Sequence, residues 1–250
     1  MEFLIVCPLA FLAGFVDAIA GGGGLISLPA YIFAGLPVHL ALGTNKLSNS
    51  MGTLIATTRY AFRGYMVREF VLVAVPLALV GSWAGSNTAL ITGDIAFKVI
   101  MLAVLPFVAF FVLRTRDLDS FSRVELPKRR ALAITAGIAL AVGFYDGFYG
   151  PGTGTFLMLL LTALAHQDVR HAQGTTKAVN LSTNLAALAV FAINGQVLLV
   201  LGLVAGAFNI AGNWLGAQSF IGKGYAIARP VMLMVIAAFA VKLIVDIVAG

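Results

Sequence analysis

The chain has 250 residues, 60% of them hydrophobic and only 10% charged, with a mean hydropathy of +1.00. A soluble domain carries about 25% charged residues, so a chain this apolar cannot cover a water-facing surface, and a soluble enzyme is excluded. The net charge of +6 does not point to nucleic acid, because the basic residues concentrate in short gaps between apolar runs, as in the cytoplasmic loops of polytopic membrane proteins.

In chain order, the first apolar segment covers 3–20. No Lys or Arg precedes it, Glu2 has the wrong sign for a signal peptide, and a second copy lies mid-chain, so it reads as a membrane helix. Cys7 is the only cysteine, allows no internal disulfide and reads as a small buried hydrophobe. Further segments are predicted over 25–37, 44–62, 70–90 and 96–113. The longest polar stretch, 114–130, follows with Arg114, Arg116, Arg123, Lys128, Arg129 and Arg130. Beyond it come segments over 132–149, 155–165, 175–193, 198–219 and 228–248. The second segment of each half is too short to span a hydrocarbon core of about 30 Å. The turns expected after them, at 40–46 and 171–177, should therefore lie at membrane depth and line a cavity.

A repeat organises the chain. Gly14-Phe15-Val16-Asp17 recurs as Gly143-Phe144-Tyr145-Asp146, 129 residues later, and Gly21 and Gly23 match Gly150 and Gly152. At an offset of 131, Gly43, Thr44, Lys46 and Asn49 match Gly174, Thr175, Lys177 and Asn180. The same offset carries Gly81-Ser82-Trp83-Ala84-Gly85 to Gly212-Asn213-Trp214-Leu215-Gly216. The expected domains are a first transmembrane repeat over 1–113, a cytoplasmic linker over 114–130 and a second transmembrane repeat over 131–250. Five segments per half is an odd number, so the halves should be inverted. With the linker inside, Arg63, Arg68, Arg170, Lys223 and Arg229 all fall inside, while 194–196 falls outside without charge. The fold class expected is thus an all-α polytopic membrane protein of two inverted homologous repeats, each about five helical segments with a short, broken or re-entrant one.

The glycine motifs at 14–24 and 143–154, with Gly43-Thr44-Asn45-Lys46 and Gly174-Thr175-Thr176-Lys177, resemble the TauE/SafE family of sulfite and organosulfonate permeases, most closely its YfcA-like branch. The resemblance spans both halves. It implies a multi-pass anion permease of the bacterial inner membrane without ATPase machinery or cofactor.

Candidate substrate-binding residues follow from residue chemistry. Lys46 and Lys177 are lysines within spans, where a charge costs roughly 2.5–3.5 kcal/mol; a lone lysine near a helix end would snorkel to the interface, but duplication and polar neighbours favour an anion site. Thr44, Asn45, Asn49, Thr175, Thr176 and Asn180 surround them with hydroxyls and amides, either as an oxyanion cradle or as interhelical hydrogen bonds. Gly22, Gly23, Gly152 and Gly154 lie in runs that read equally as unwound turns offering N–H groups to an anion or as close-packing positions. Asp17 and Asp146 are proton relays, counter-ions to Lys46 or Lys177, or caps on the glycine turns. Trp83 and Trp214, each between glycines, suggest a helix-packing face. No metal-ligand spacing and no nucleophile–base pair is present, so catalytic and metal sites are not expected. The function expected is secondary transport of a small anion, with an anion channel or an intramembrane enzyme as alternatives. The lipid bilayer and the anionic substrate are the expected partners, and homo-oligomerisation is left open.

Overall fold

The computed structural model describes residues 1–114 and 126–219, with isolated positions between 233 and 248. The described residues form α1 (Glu2–Ala20), α2 (Gly24–Phe33), α3 (Val38–Phe62), α4 (Arg68–Ile91), α5 (Asp94–Arg114), α6 (Lys128–Phe148), α7 (Thr153–Ala163), α8 (Val169–Ile193) and α9 (Leu199–Ser219). No strand occurs among them, so the fold is all-α. Most of the segment expected at 228–248 and most of the linker lie outside the described residues. Among the described residues, α1, α4, α6, α8 and α9 are long and apolar enough to cross a membrane. The short elements are short as expected: α2 has 10 residues and α7 has 11, so each rises only about 15–17 Å.

One expectation is corrected. Residues 40–46 and 171–177 are not irregular turns, because α3 begins at Val38 and α8 at Val169. The Asp168 carboxylate caps α8 by accepting from the N–H groups of Arg170 and His171 at 3.0 and 3.2 Å. Polar residues interrupt the apolar run there and look like a gap, yet Thr44, Asn45, Lys46, Thr175, Thr176 and Lys177 are all buried inside the bundle. The irregular backbone at the centre lies instead between α1 and α2 and between α6 and α7. There the chain turns left-handed at Gly21 (φ 68°), Gly150 (φ 95°) and Gly152 (φ 84°), where a side chain would be strained.

The two halves interlock. The first helix of each packs along the fourth of the other: α1 on α9, and α6 on α4. Repeat-equivalent glycines line both seams. A Cβ on Gly81 would come 2.3 Å from Leu140 O, and one on its equivalent Gly212 would come 2.0 Å from Phe11 O. The glycines are therefore the packing face expected around the tryptophans. The rings themselves turn outward: Trp83 and Trp214 are both 51% exposed. The Arg59 guanidinium lies 4.2 Å from the Trp214 ring centroid.

Candidate functional site

The glycine breaks of the two halves meet backbone to backbone. A Cβ on Gly21 would lie 2.4 Å from Gly154 C, and one on Gly154 would lie 2.4 Å from Gly21 Cα. Gly23 has the same requirement within its own half, since a Cβ there would strike Asp17 Cβ at 2.4 Å. Each break leaves two helix ends side by side. The last carbonyls of α1 are satisfied by other elements: Tyr60 Oη and Gln173 Nε2 each donate to Ala18 O at 2.8 Å, and Thr155 Oγ1 donates to Ala20 O at 3.1 Å. The first turns of α2 and α7 have glycine N-caps, Gly23 and Gly152, and neither receives a side-chain cap.

The four charges near these breaks form two buried pairs, and both pairs cross between the halves. Lys46 of α3 donates through Nζ to Asp146 Oδ2 of α6 at 2.7 Å, with side chains 2% and 7% exposed. Lys177 of α8 donates to Asp17 Oδ2 of α1 at 2.7 Å, and also to the Asp17 carbonyl oxygen. The carboxylates sit in the last turns of α1 and α6, at the negative ends of the helix dipoles, where the lysines offset both the carboxylate and the dipole. Asp146 accepts a further bond, from Thr153 Oγ1 to its Oδ1 at 2.8 Å. Of the readings open for the aspartates, the geometry supplies the counter-ion arrangement, with each partner taken from the opposite half.

Three of these four groups, Asp17, Lys46 and Asp146, line one small cavity that is partly open to solvent. Its walls are matched residues of the two repeats: Asp17 with Asp146, Gly21 with Gly150, Gly24 with Thr153, Asn49 with Asn180, and Thr53 with Asn184. Lys46, Asn45 and Gly154 complete it. Asn45 and Asn180 are 4% and 5% exposed, and the Oδ1 atom of each is buried without a hydrogen-bond partner.

The expected site residues divide accordingly. Asp17, Asn45, Lys46, Asn49, Asp146, Gly154 and Asn180 come together at the cavity. Lys177 lies behind Asp17 rather than on the wall. Thr44 and Thr175 are occupied elsewhere: Thr44 Oγ1 accepts from Leu198 N at 3.0 Å, and Thr175 Oγ1 donates to Gln167 Oε1 at 3.0 Å. Thr176 is buried away from the cavity, with its hydroxyl unpartnered. Gly22, Gly23 and Gly152 shape the breaks without reaching the wall. Thr53 and Asn184 were missed, although each lies four residues beyond an asparagine already singled out and so shares its helix face.

Comparison with known proteins agrees with this architecture. The model of the family described as sulfite exporter TauE/SafE matches residues 6–243. The chain belongs to the TauE/SafE family. It is 36% identical to a "Probable membrane transporter protein ORF9" of Sinorhizobium sp, covering 98% of this chain and 93% of the relative. It is also 36% identical to a "Probable membrane transporter protein" of Haemophilus influenzae, over 97% and 94% of the two chains. With "Probable membrane transporter protein YfcA" of Escherichia coli K12 the identity is 31%, over 95% and 88%. No solved structure matches the chain. As a TauE/SafE protein with several membrane-length helices, it is a multi-pass membrane transporter.

Proposed function

We propose that the protein is a secondary transporter of the bacterial inner membrane for a small anion, with sulfite, organosulfonates and related sulfur-containing acids as its substrate class. The reading rests chiefly on one observation: a cavity walled by matched residues of both halves, at which the uncapped first turns of α2 and α7 begin. Helix N-termini present N–H groups and positive dipole ends to an anion, and broken helices of this sort build transporter sites near the midplane. The side chains of Asn45, Asn49, Thr53, Asn180 and Asn184 add amide and hydroxyl groups around the same space. Lys46 faces it directly, held by Asp146 until the substrate competes. The family description, sulfite export, supplies the sulfur oxyanion. The halves are taken as inverted in the membrane, so that rocking of one against the other exposes the cavity to each side in turn.

The test is exchange in proteoliposomes. Purified protein should swap labelled sulfite against internal sulfite or a small alkanesulfonate, and the same anions should raise its melting temperature. Lys46→Gln should abolish both effects while Lys46→Arg retains part of them. Well-folded wild-type protein that shows neither exchange nor a thermal shift with any sulfur anion would sink the reading.

A further inference from the structure

The two carboxylates are repeat equivalents, but their surroundings differ at one position. Asp146 is bonded through Oδ2 by Lys46 Nζ at 2.7 Å, and its Oδ1 lies 2.8 Å from Thr153 Oγ1, whose single proton it shares with Gly150 O at 2.6 Å. The repeat equivalent of Thr153 is Gly24, which has no hydroxyl to offer. Asp17 accepts through Oδ2 from Lys177, and among the described residues no side chain donates to its Oδ1. Asp17 is also the more open of the two, with its side chain 14% exposed against 7% for Asp146.

We infer that Asp17 takes up one proton with each anion, while Asp146 stays ionised as the fixed partner of Lys46. This rests on the reading of the cavity as an anion site. Asp17 stands between the cavity and Lys177, which is fully buried and off the wall. A neutral Asp17 therefore uncovers the ammonium's field toward the cavity. Lys177 does not lose its anchor, because it also donates to the Asp17 carbonyl oxygen.

The charges balance. Lys46, Lys177, Asp17 and Asp146 sum to zero, one proton makes the set +1, and a monoanion restores zero. An anion arriving without the proton would leave a buried net charge, which is costly. The proton comes from water on the loading side and leaves to water on the other side when the anion departs. No covalent bond of the substrate changes.

Other groups around Asp17 leave this assignment in place. From α3, Tyr60 donates to Ala18 O and Arg63 donates to Ala217 O. Lys46 and Asp146 lie across the cavity, and α2, α7 and α9 contribute no charged residue.

Methanesulfonate is the suitable probe, since it stays a monoanion across the accessible pH range and cannot itself carry the proton. Wild-type affinity should fall about tenfold per pH unit above its midpoint, the slope of one linked proton. Vesicles loading methanesulfonate should acidify by one proton per anion. Asp17→Asn should move no protons with the anion, and the binding it retains should not vary with pH.

Proton movement that persists in Asp17→Asn overturns the inference and leaves the anion site standing. Wild-type protein that neither binds nor exchanges methanesulfonate or sulfite removes both. A measurement on unaltered protein covers the case in which a variant does not fold. A hydrophobic carbodiimide, which attaches to protonated buried carboxyls, should label Asp17 increasingly as pH falls. Mass-spectrometric mapping of the label to Asp146 instead overturns the assignment.

Discussion

Lys46 and Asp146 are buried against each other, and among the described residues neither has a second charged partner. Removing one partner of such a pair typically costs about 3–5 kcal/mol, whereas removing both can be nearly neutral. Lys46→Gln is therefore expected to lower stability by that order, and Lys46→Gln with Asp146→Asn to recover most of it, read as unfolding in detergent. Gly154 makes a sharper demand, because its neighbour is the Gly21 backbone and not a movable side chain. Gly154→Ala should cost about 1–3 kcal/mol through overpacking, with a visible drop in melting temperature. The duplicated lysines and aspartates were legible in the sequence because they are rare in spans. Which aspartate belongs to which lysine was not, since the partners stand 100 and 160 residues apart and in opposite halves.

The first and second helices of each half are joined by a glycine break, and the first and fourth form glycine-lined seams with the other half. The seams are equivalent, so Gly81→Leu on the α4–α6 seam and Gly212→Leu on the α1–α9 seam should fail in the same way. Each large side chain meets a carbonyl oxygen at contact distance and must push two helix axes apart. Yield and melting temperature of the two variants, compared side by side, check this. Hydropathy revealed the apolar segments well: α4 is Arg68–Ile91 against an expected 70–90, and α9 is Leu199–Ser219 against 198–219. It failed at the starts of α3 and α8, each set six residues late. A helix whose polar face points into a protein-lined cavity carries its hydrophilic residues inward, and a scale that counts polarity as exposure ends the segment there.

At the scale of the molecule, the halves exchange partners, with α1 packed on α9 and α6 on α4. Inversion in the membrane remains an inference from charge. It predicts that reporters fused at Asp119 and at Gly250 give opposite sides, with the first cytoplasmic. Both on one side would remove the inverted arrangement. Composition and periodicity could not have revealed that the cavity is shared. They describe each half separately, and the walls come from both.

The crossed ion pairs also bear on how the protein is made. Synthesis runs from the N-terminus, so Asp17 and Lys46 enter the bilayer before Lys177 and Asp146 have been translated. A nascent first half is a membrane segment with two unmatched charges, and the second half brings a partner to each. The chain should thus pass through a stage that membrane quality-control proteases can recognise. Residues 1–114 and 126–250 produced as separate polypeptides should accumulate together, and each should be degraded when produced alone.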